Sequence, residues 1–114
     1  MYRNYRRLQQ WREYVQKIFA AVRDVLGGSI EVYVFGGAAE ERLTALSDID
    51  VAIVLPKEPS PRERLRIKQR VFARAVDAYG LPWDYPVEIH VVGPKGFEEI
   101  RKQSKIVFIG SLKD

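Results

Sequence analysis

The chain has 114 residues, 46% hydrophobic and 30% charged, which is enough for one hydrophobic core, and it is expected to form a single domain over residues 1–114. It lacks cysteine, which excludes disulfides and thiolate metal sites, and with His90 as its one histidine it is not expected to form a histidine-based zinc site. A bound metal would therefore need carboxylate ligands, as Mg²⁺ and Mn²⁺ prefer. The net charge of +4 is compatible with a phosphate-rich ligand or an acidic partner. No apolar run reaches the ~18 residues of a membrane helix. Because the chain has no cysteine, a cytoplasmic location is the default expectation.

The first quarter of the chain predicts one long amphipathic helix over residues 2–26, ended by Gly27-Gly28. Its apolar residues recur every three or four positions, with arginines between them: Leu8, Trp11, Val15, Ile18, Phe19, Val22 and Leu26. The many arginines and glutamates, with a single asparagine, are a weak indication of a thermophilic source.

The next segment predicts two strands joined by a short helix. SIEVYVF at residues 29–35 is β-branched and predicts the first strand, and AAEERLTA at residues 38–45 predicts about two helical turns. IDVAIVL at residues 49–55 is almost entirely apolar and predicts a central strand that stops at Pro56. The connection between the two strands is short for a right-handed crossover, which favours a mixed sheet.

The second half predicts two further helices and strands. Ser60, Pro61 and Glu63 form a helix start with a capping box, and the helix is expected to run to about Tyr79. VEIHVV at residues 87–92 predicts a third strand, residues 93–103 a short helix, and residues 105–114 contain a brief apolar run suited to an edge strand. The order is therefore α-β-α-β-α-β-α, an α/β domain with a small mixed sheet flanked by helices.

Two aspartates stand one residue apart where the second strand begins. Alternation along a strand places Asp48 and Asp50 on one face, ~7 Å apart, and the apolar residues between and after them on the other. Two carboxylates so close raise each other's pKa unless a cation lies between them. The pair is therefore either turn chemistry or a divalent metal site.

A third acid and a glycine pair accompany the aspartates. Glu88 and His90 alternate with apolar residues in the third strand, so Glu88 points into the same cleft if that strand neighbours the second, and otherwise lies on an exposed face. His90 is more simply a half-buried strand residue. Gly36-Gly37, at a strand end, is either a tight turn or a place where backbone amides approach a phosphate.

These features occur together in a known pattern: Phe35-Gly36-Gly37, ten residues from Ala38 to Ser47, Asp48-Ile49-Asp50, and an acid in a later strand. The set resembles the DNA polymerase beta-type nucleotidyltransferase superfamily, and within it the minimal nucleotidyltransferases of bacteria and archaea, whose signature is G-S-x10-D-x-D. The resemblance covers roughly residues 30–92. Gly37 stands where many members have serine, and Glu40-Glu41 where many have a basic residue and a glycine.

The resemblance implies a fold, an activity and a set of site residues. It implies the nucleotidyltransferase fold and transfer of a nucleoside monophosphate, most simply AMP from ATP, with two Mg²⁺ ions or Mn²⁺ in their place. The catalytic and metal-binding residues it implies are Asp48, Asp50 and Glu88. The nucleotide-binding residues it implies are Gly36, Gly37, Ser47 and Arg42, although Arg42 also fits a surface residue paired with an acid.

The resemblance also implies a partner. Minimal members typically pair with a small helical HEPN-type toxin and silence it by moving AMP onto a tyrosine, so an antitoxin role is expected, with a hydroxyl acceptor on the partner. The alternatives are a non-catalytic module that acts by contact, or nucleotidylation of a small molecule. Direct nucleic-acid binding is not expected, because basic residues are not interleaved with exposed aromatics. The aromatic residues of the first helix either offer a surface for docking or homodimerisation or pack onto the domain's own sheet: Tyr2, Tyr5, Trp11 and Tyr14.

Overall fold

The computed structural model describes residues 2–44 and 46–113. The elements, in chain order, are α1 (Tyr2–Gln9), α2 (Trp11–Val25), β1 (Ile30–Phe35), β2 (Ile49–Val54), α3 (Pro61–Tyr79), β3 (Val87–Val92), α4 (Pro94–Gln103) and β4 (Ile106–Leu112). Within these ranges, no helix has both the length and the apolar character needed to cross a bilayer.

The four strands form one mixed sheet in the order β3-β2-β1-β4. β1 pairs antiparallel with both β2 and β4, whereas β2 and β3 are parallel. The mixed sheet and the edge position of the last strand confirm both predictions. β2 and β3 can pair in parallel because the chain between them includes α3 and is long enough to return to the same end of the sheet.

One face of the sheet forms the core with α2 and α3. Alternate residues of the strands lie on this face and are almost fully buried: Ile30, Val32, Val34, Ile49, Val51, Ile53, Ile89 and Val91. Val15, Ile18 and Val22 of α2 and Val71 and Ala75 of α3 pack against them. Burying each large apolar side chain contributes ~1.5–3 kcal/mol before entropy is counted. The opposite face carries the polar residues of β2 and β3.

The predicted N-terminal helix is divided in two. Gln10, with φ −94° and ψ 24°, separates α1 from α2. The break is mild, because Gln10 N–H still donates to the Arg6 carbonyl (3.1 Å). Leu8 and Trp11, on either side of the break, are both buried in the core. The change of direction thus lets both helices pack on the same domain.

The helix predicted after the glycine pair is wrong. Residues 36–41 form consecutive turns, Glu41 has a positive φ of 58°, and Ala45, at the end of the predicted helix, lies outside the described residues. Arg42 N–H donates to the Gly37 carbonyl (2.7 Å), which reverses the chain within five residues. Ala38 and Ala39, good helix formers, are instead buried in the turn. Packing in a connection between antiparallel strands outweighs a small helix propensity.

The start of α3 agrees with the sequence in detail. Ser60 Oγ accepts from Glu63 N–H and the Glu63 carboxylate accepts from Ser60 N–H, so the capping box is complete. Gly80 ends the helix with a φ of 71°. Since both ends are fixed, α3 holds a defined orientation beside β3.

Candidate functional site

Three chain segments meet at one end of the sheet. β1 ends there, and β2 and β3 begin there, because β1 is antiparallel to β2 and β2 is parallel to β3. In register, Asp50 lies between Phe35 of β1 and Glu88 of β3. Asp50 and Glu88 therefore occupy adjacent positions on the polar face of the sheet, as the sequence predicted if these strands were neighbours.

The two carboxylates form a compact group with His90. His90 Nε2 lies 3.2 Å from Asp50 Oδ1 and 3.9 Å from Glu88 Oε1. One ligand atom from each of the three residues lies within 4.8 Å of the other two. The imidazole also packs edge-on against the Phe35 ring, with centroids 4.9 Å apart. His90 is thus held in place by the cluster and is more than a strand residue that happens to be half-buried.

The electrostatics of this cluster favour a cation. Burial is the main factor that raises the pKa of Asp50 above its ordinary value, and the charges of Glu88 and Asp48 raise the pKa further. The hydrogen bond and charge of His90 act in the opposite direction. A half-buried carboxylate beside two other acids is unfavourable alone, and a divalent ion with oxygen ligands offsets that cost.

The donor set fits a hard divalent ion. Asp50 and Glu88 supply carboxylate oxygens, the ligands that Mg²⁺ and Mn²⁺ prefer. His90 fits either as a third ligand or as the hydrogen-bond partner that orients Asp50. Asp48 is not one of the three clustered residues, since it is exposed and lies immediately before β2. It affects the cluster electrostatically, because its charge raises the pKa of Asp50.

Gly36 is fitted to the aspartate. It adopts a φ of 71°, and a Cβ added there would lie 2.5 Å from Asp50 Oδ2. Glycine is therefore required at this position both for its backbone conformation and for the space beside the carboxylate. Gly37 differs, since the nearest atom to an added Cβ is the Arg42 carbonyl oxygen at 3.7 Å.

The Gly36 amide already has a partner. Gly36 N–H donates to Ser104 Oγ (2.8 Å), and the Ser104 hydroxyl donates to the Lys105 carbonyl. A phosphate contact from the Gly36 amide, as the resemblance implies, would require Ser104 to release it. Ser104 follows α4, so the end of this helix is tied directly to the glycine turn.

The other two residues expected to contact nucleotide lie in the connection before β2. The Ser47 hydroxyl accepts from Thr44 N–H (2.9 Å) and lies 3.2 Å from the Thr44 hydroxyl, which shapes the loop. Arg42 pairs with Glu40 and remains two-thirds exposed. Together with Gly36, Ser104 and α4, the Arg42–Glu40 pair lines an open cleft of about 290 Å³ beside the cluster.

Sequence reasoning missed Ser104 and undervalued His90. Nothing in the pattern around Ser104 links it to Gly36, which is 68 residues away. His90 carried a usable signal, because it shares a strand face with Glu88, but only the register of β2 and β3 shows that this face meets Asp50.

Comparison with protein families gives one match. A family model described as a nucleotidyltransferase domain matches residues 15–112, a range that includes the glycine turn, β2 and β3. Comparison with curated proteins finds no match.

Several solved structures share the fold. A Sulfolobus solfataricus protein that carries a nucleotidyltransferase assignment has a TM-score of 0.56 and 20% identity, over 92% of this chain and 80% of its own. A chain of a toxin–antitoxin structure with AMP-PNP has a TM-score of 0.56 and 19% identity, over 83% and 71%. A chain of the Shewanella oneidensis structure of tri-AMPylated HEPN toxin with MNT antitoxin has a TM-score of 0.52 and 20% identity, over 90% and 71%. The mixed α/β architecture predicted from the sequence is confirmed.

Proposed function

The chain belongs to the nucleotidyltransferase domain family, and we propose that it transfers AMP from ATP to a tyrosine hydroxyl of a HEPN-type partner protein. The observation that carries the proposal is the pairing of Asp50 with Glu88 across β2 and β3, in a half-buried cluster that also contains His90. Clustered, half-buried acids are unfavourable for stability and are typical of functional sites, so their presence supports a catalytic role over binding alone.

Each site residue has a role in this proposal. Asp48, Asp50 and Glu88 would hold the divalent ions, which supply charge neutralisation for the triphosphate when bound. His90 would keep the Asp50 carboxylate oriented through its 3.2 Å contact. The turn at Gly36 and Gly37 would receive the phosphates, and Arg42 would meet them from the cleft after release from Glu40.

The transfer itself is a substitution at the α-phosphorus. The acceptor oxygen forms a bond to this phosphorus as the bond to the bridging oxygen of the β-phosphate breaks, and pyrophosphate leaves. Glu88, the most exposed member of the cluster, would take the acceptor's proton. Positioning and electrostatics supply most of the acceleration in reactions of this type.

The choice of nucleotide and partner rests on the structural relatives. One is a toxin–antitoxin structure with AMP-PNP, and another pairs an MNT antitoxin with a HEPN toxin that carries AMP. Their identities of 19% and 20% support the fold, and the AMP and the HEPN-type acceptor are carried over to this chain as part of the proposal.

Intact mass spectrometry tests the proposal. The chain is co-expressed with a candidate HEPN-type partner protein, purified with it, and incubated with ATP and Mg²⁺. We expect the partner to gain one or more AMP units, and Asp50→Ala and Glu88→Ala to abolish the gain. Asp77→Ala, an exposed acid on α3, is the matched control and should retain full transfer.

The contact-only alternative gives a different result in the same assay. If this chain acts only by binding, the partner's mass stays unchanged and the Asp50→Ala variant still inhibits it. That combination would refute nucleotidyl transfer while leaving an antitoxin role intact.

A further inference from the structure

The outer edge of β3 has unpaired backbone groups. β3 is an edge strand, and its inner side bonds to β2, as shown at the two ends by Ile49 N–H to the Pro86 carbonyl (2.9 Å) and Leu55 N–H to the Val92 carbonyl (2.8 Å). In a parallel ladder with this phase, the N–H and C=O of Ile89 and Val91 point away from β2. No residue in the described ranges 2–44 and 46–113 bonds to them on that side. An unprotected edge of this kind is able to accept another strand.

A groove runs along this edge. It has a volume of about 370 Å³ and lies between β3 and the first half of α3, with Arg64, Leu65 and Lys68 on the helix side. Leu65 is 57% exposed and provides an apolar contact between the basic side chains of Arg64 and Lys68. Glu88 and His90 of the catalytic cluster line the same groove. An occupant of the groove is therefore in direct contact with the site.

The helix beside the groove is strongly basic, and two of its basic residues, Arg64 and Lys68, line the groove itself. The exposed surface of α3 up to its middle carries Arg62, Arg64, Arg66, Lys68 and Arg70, and no ion pair to these five is found among the residues the structure describes. The one acid in this part of the helix, Glu63, is used in the capping box. Such a surface favours an acidic partner.

We propose that this groove binds an acidic, extended segment of the acceptor polypeptide, which adds to the sheet as a strand beside β3. The bound segment would pair with the Ile89 and Val91 backbone groups and pack on Leu65, with its acidic side chains near Arg64 and Lys68. This inference rests on the proposed function and specifies how the acceptor is presented.

Strand addition also places the reacting group. The side chain opposite Glu88 on an added strand projects from the same face as Glu88, one strand spacing (~4.8 Å) further from Asp50. The long side chain of tyrosine covers that spacing, whereas the short side chain of serine stops above the added strand. The geometry therefore selects tyrosine over serine as acceptor.

A polypeptide fits the groove better than a nucleic acid. Single-stranded nucleic acids are held by stacking on aromatic side chains, and the rings found along this groove are limited to His90, within the part of the chain that the structure describes. Free backbone donors and acceptors along an edge strand are instead the usual binding element for an extended peptide.

The test uses a short synthetic peptide with a central tyrosine, alternating valine and threonine, and flanking glutamates, incubated with the intact chain, ATP and Mg²⁺. A series of peptides carries one backbone N-methyl group at each position in turn. We expect AMP transfer to fall about fivefold to tenfold at every second position only, since these amides bond to β3. Hydrogen exchange at the Ile89 and Val91 amides should slow when the peptide binds.

Variants of α3 test the charge of the groove. Arg64→Glu with Lys68→Glu should raise the peptide KM about tenfold and leave ATP affinity unchanged. Arg70→Glu, on the same helix beyond the groove, is the matched control and should behave as the unmodified chain.

The outcomes separate docking from chemistry. AMP transfer to the peptide without two-residue periodicity, or transfer to a short single-stranded RNA in preference to the peptide, overturns strand addition and leaves nucleotidyl transfer standing. Amide protection at Ile89 and Val91 without transfer supports docking and, together with an unchanged mass of the HEPN-type partner, refutes the proposed function. Neither protection nor transfer with this peptide overturns strand addition, and the mass of the HEPN-type partner then decides the proposed function.

Discussion

At the scale of single residues, Gly36 and Asp50 constrain each other. Gly36 has a φ of 71°, which L-residues with a side chain adopt at a cost of ~1–2 kcal/mol, and its Cα faces Asp50 Oδ2 closely enough that a methyl group would lie 2.5 Å from it. The turn therefore sets the position of the carboxylate. A substitution at Gly36 changes the site as well as the stability of the fold.

Gly36→Ala is expected to displace Asp50. We predict lower stability and loss of most Mg²⁺-dependent ATP binding, measured by urea unfolding and by calorimetric titration. Gly80→Ala is the matched control, because Gly80 has the same φ of 71° and nothing within 4 Å of an added Cβ. It should show the backbone strain of ~1–2 kcal/mol alone, with ATP binding intact. Equal ATP binding in the two variants would show that Gly36 does not position Asp50.

Asp50 is predicted to lower the stability of the metal-free protein, although it is needed for the proposed AMP transfer. Its pKa is raised chiefly by burial and also by Glu88 and Asp48, so its ionised form at neutral pH is unfavourable in the folded state. Asp50→Asn should raise the free energy of unfolding of the metal-free protein at pH 7 by on the order of 0.5 kcal/mol, a modest value because the side chain is partly exposed. The same variant should lose AMP transfer.

Chemical unfolding with a chelator present measures this effect. Asp77→Asn, at an exposed position on α3, removes the same charge without the burial and should leave stability within a few tenths of a kcal/mol. If Asp50→Asn is destabilising, the carboxylate has favourable contacts that outweigh its burial.

At the scale of elements, local sequence patterns predicted the strands and α3 but did not predict the segments whose conformation depends on packing. The strands and α3 were predictable because apolar residues at every second position and a capping box are local signals, and burial in the core reinforces both. Residues 38–44 contain good helix formers, but they form a short connection between antiparallel strands, and burial of Ala38 and Ala39 in that connection outweighs their helix propensity. Gln10 interrupts a continuous helical pattern, and Leu8 and Trp11 on either side of it are both buried in the core.

The site was predictable only as far as strand neighbours were. Alternation predicted one face for Asp48 and Asp50, and Glu88 was expected to join them if its strand neighboured β2. The parallel pairing of β2 with β3 places Asp50 beside Glu88, whereas Asp48 lies outside the cluster. The contact between Gly36 and Ser104 depends on how α4 returns across the sheet, and no local pattern encodes that path.

The loop before β3 is attached to the first two helices through Tyr85. The ring is buried and stacks on Tyr14 of α2 with centroids 4.4 Å apart, and its hydroxyl donates to the Arg7 carbonyl of α1 (3.1 Å). Burial, more than the neighbouring Tyr14, raises the pKa of Tyr85 well above its ordinary value. The folded protein thus keeps a proton that the unfolded chain releases near pH ~10.

This difference predicts a loss of stability in alkali. Above pH ~10 the unfolded state binds fewer protons than the folded state, so the free energy of unfolding falls as pH rises, by up to ~1.4 kcal/mol per pH unit for one group. Tyr85→Phe should be ~1 kcal/mol less stable at pH 8, where it lacks the hydrogen bond, yet lose less stability between pH 8 and 10.5. Urea unfolding at both values measures the two slopes, and equal slopes would exclude Tyr85 as the source.

At the scale of the whole molecule, the site joins segments that are distant in sequence. The glycine turn follows β1, and Asp50 and Glu88 are the second residues of β2 and β3, so a ligand that contacts all three groups ties three of the four strands together. Under the proposed function, metal-bound nucleotide would bind only the folded state, because the unfolded chain does not assemble these groups. Binding should therefore appear as stabilisation of the entire domain.

ATP together with Mg²⁺ is expected to raise the melting temperature by several degrees, since a ligand at about a hundred times its Kd adds ~2.7 kcal/mol to the stability of a domain. ATP alone should have little effect, because the triphosphate then meets the uncompensated charges of Asp48, Asp50 and Glu88. Asp50→Ala should remove the shift and Asp77→Ala should keep it, both followed by differential scanning calorimetry. A shift of equal size with ATP and a chelator would mean that the nucleotide binds without a metal, and the roles assigned to the three carboxylates would then be wrong.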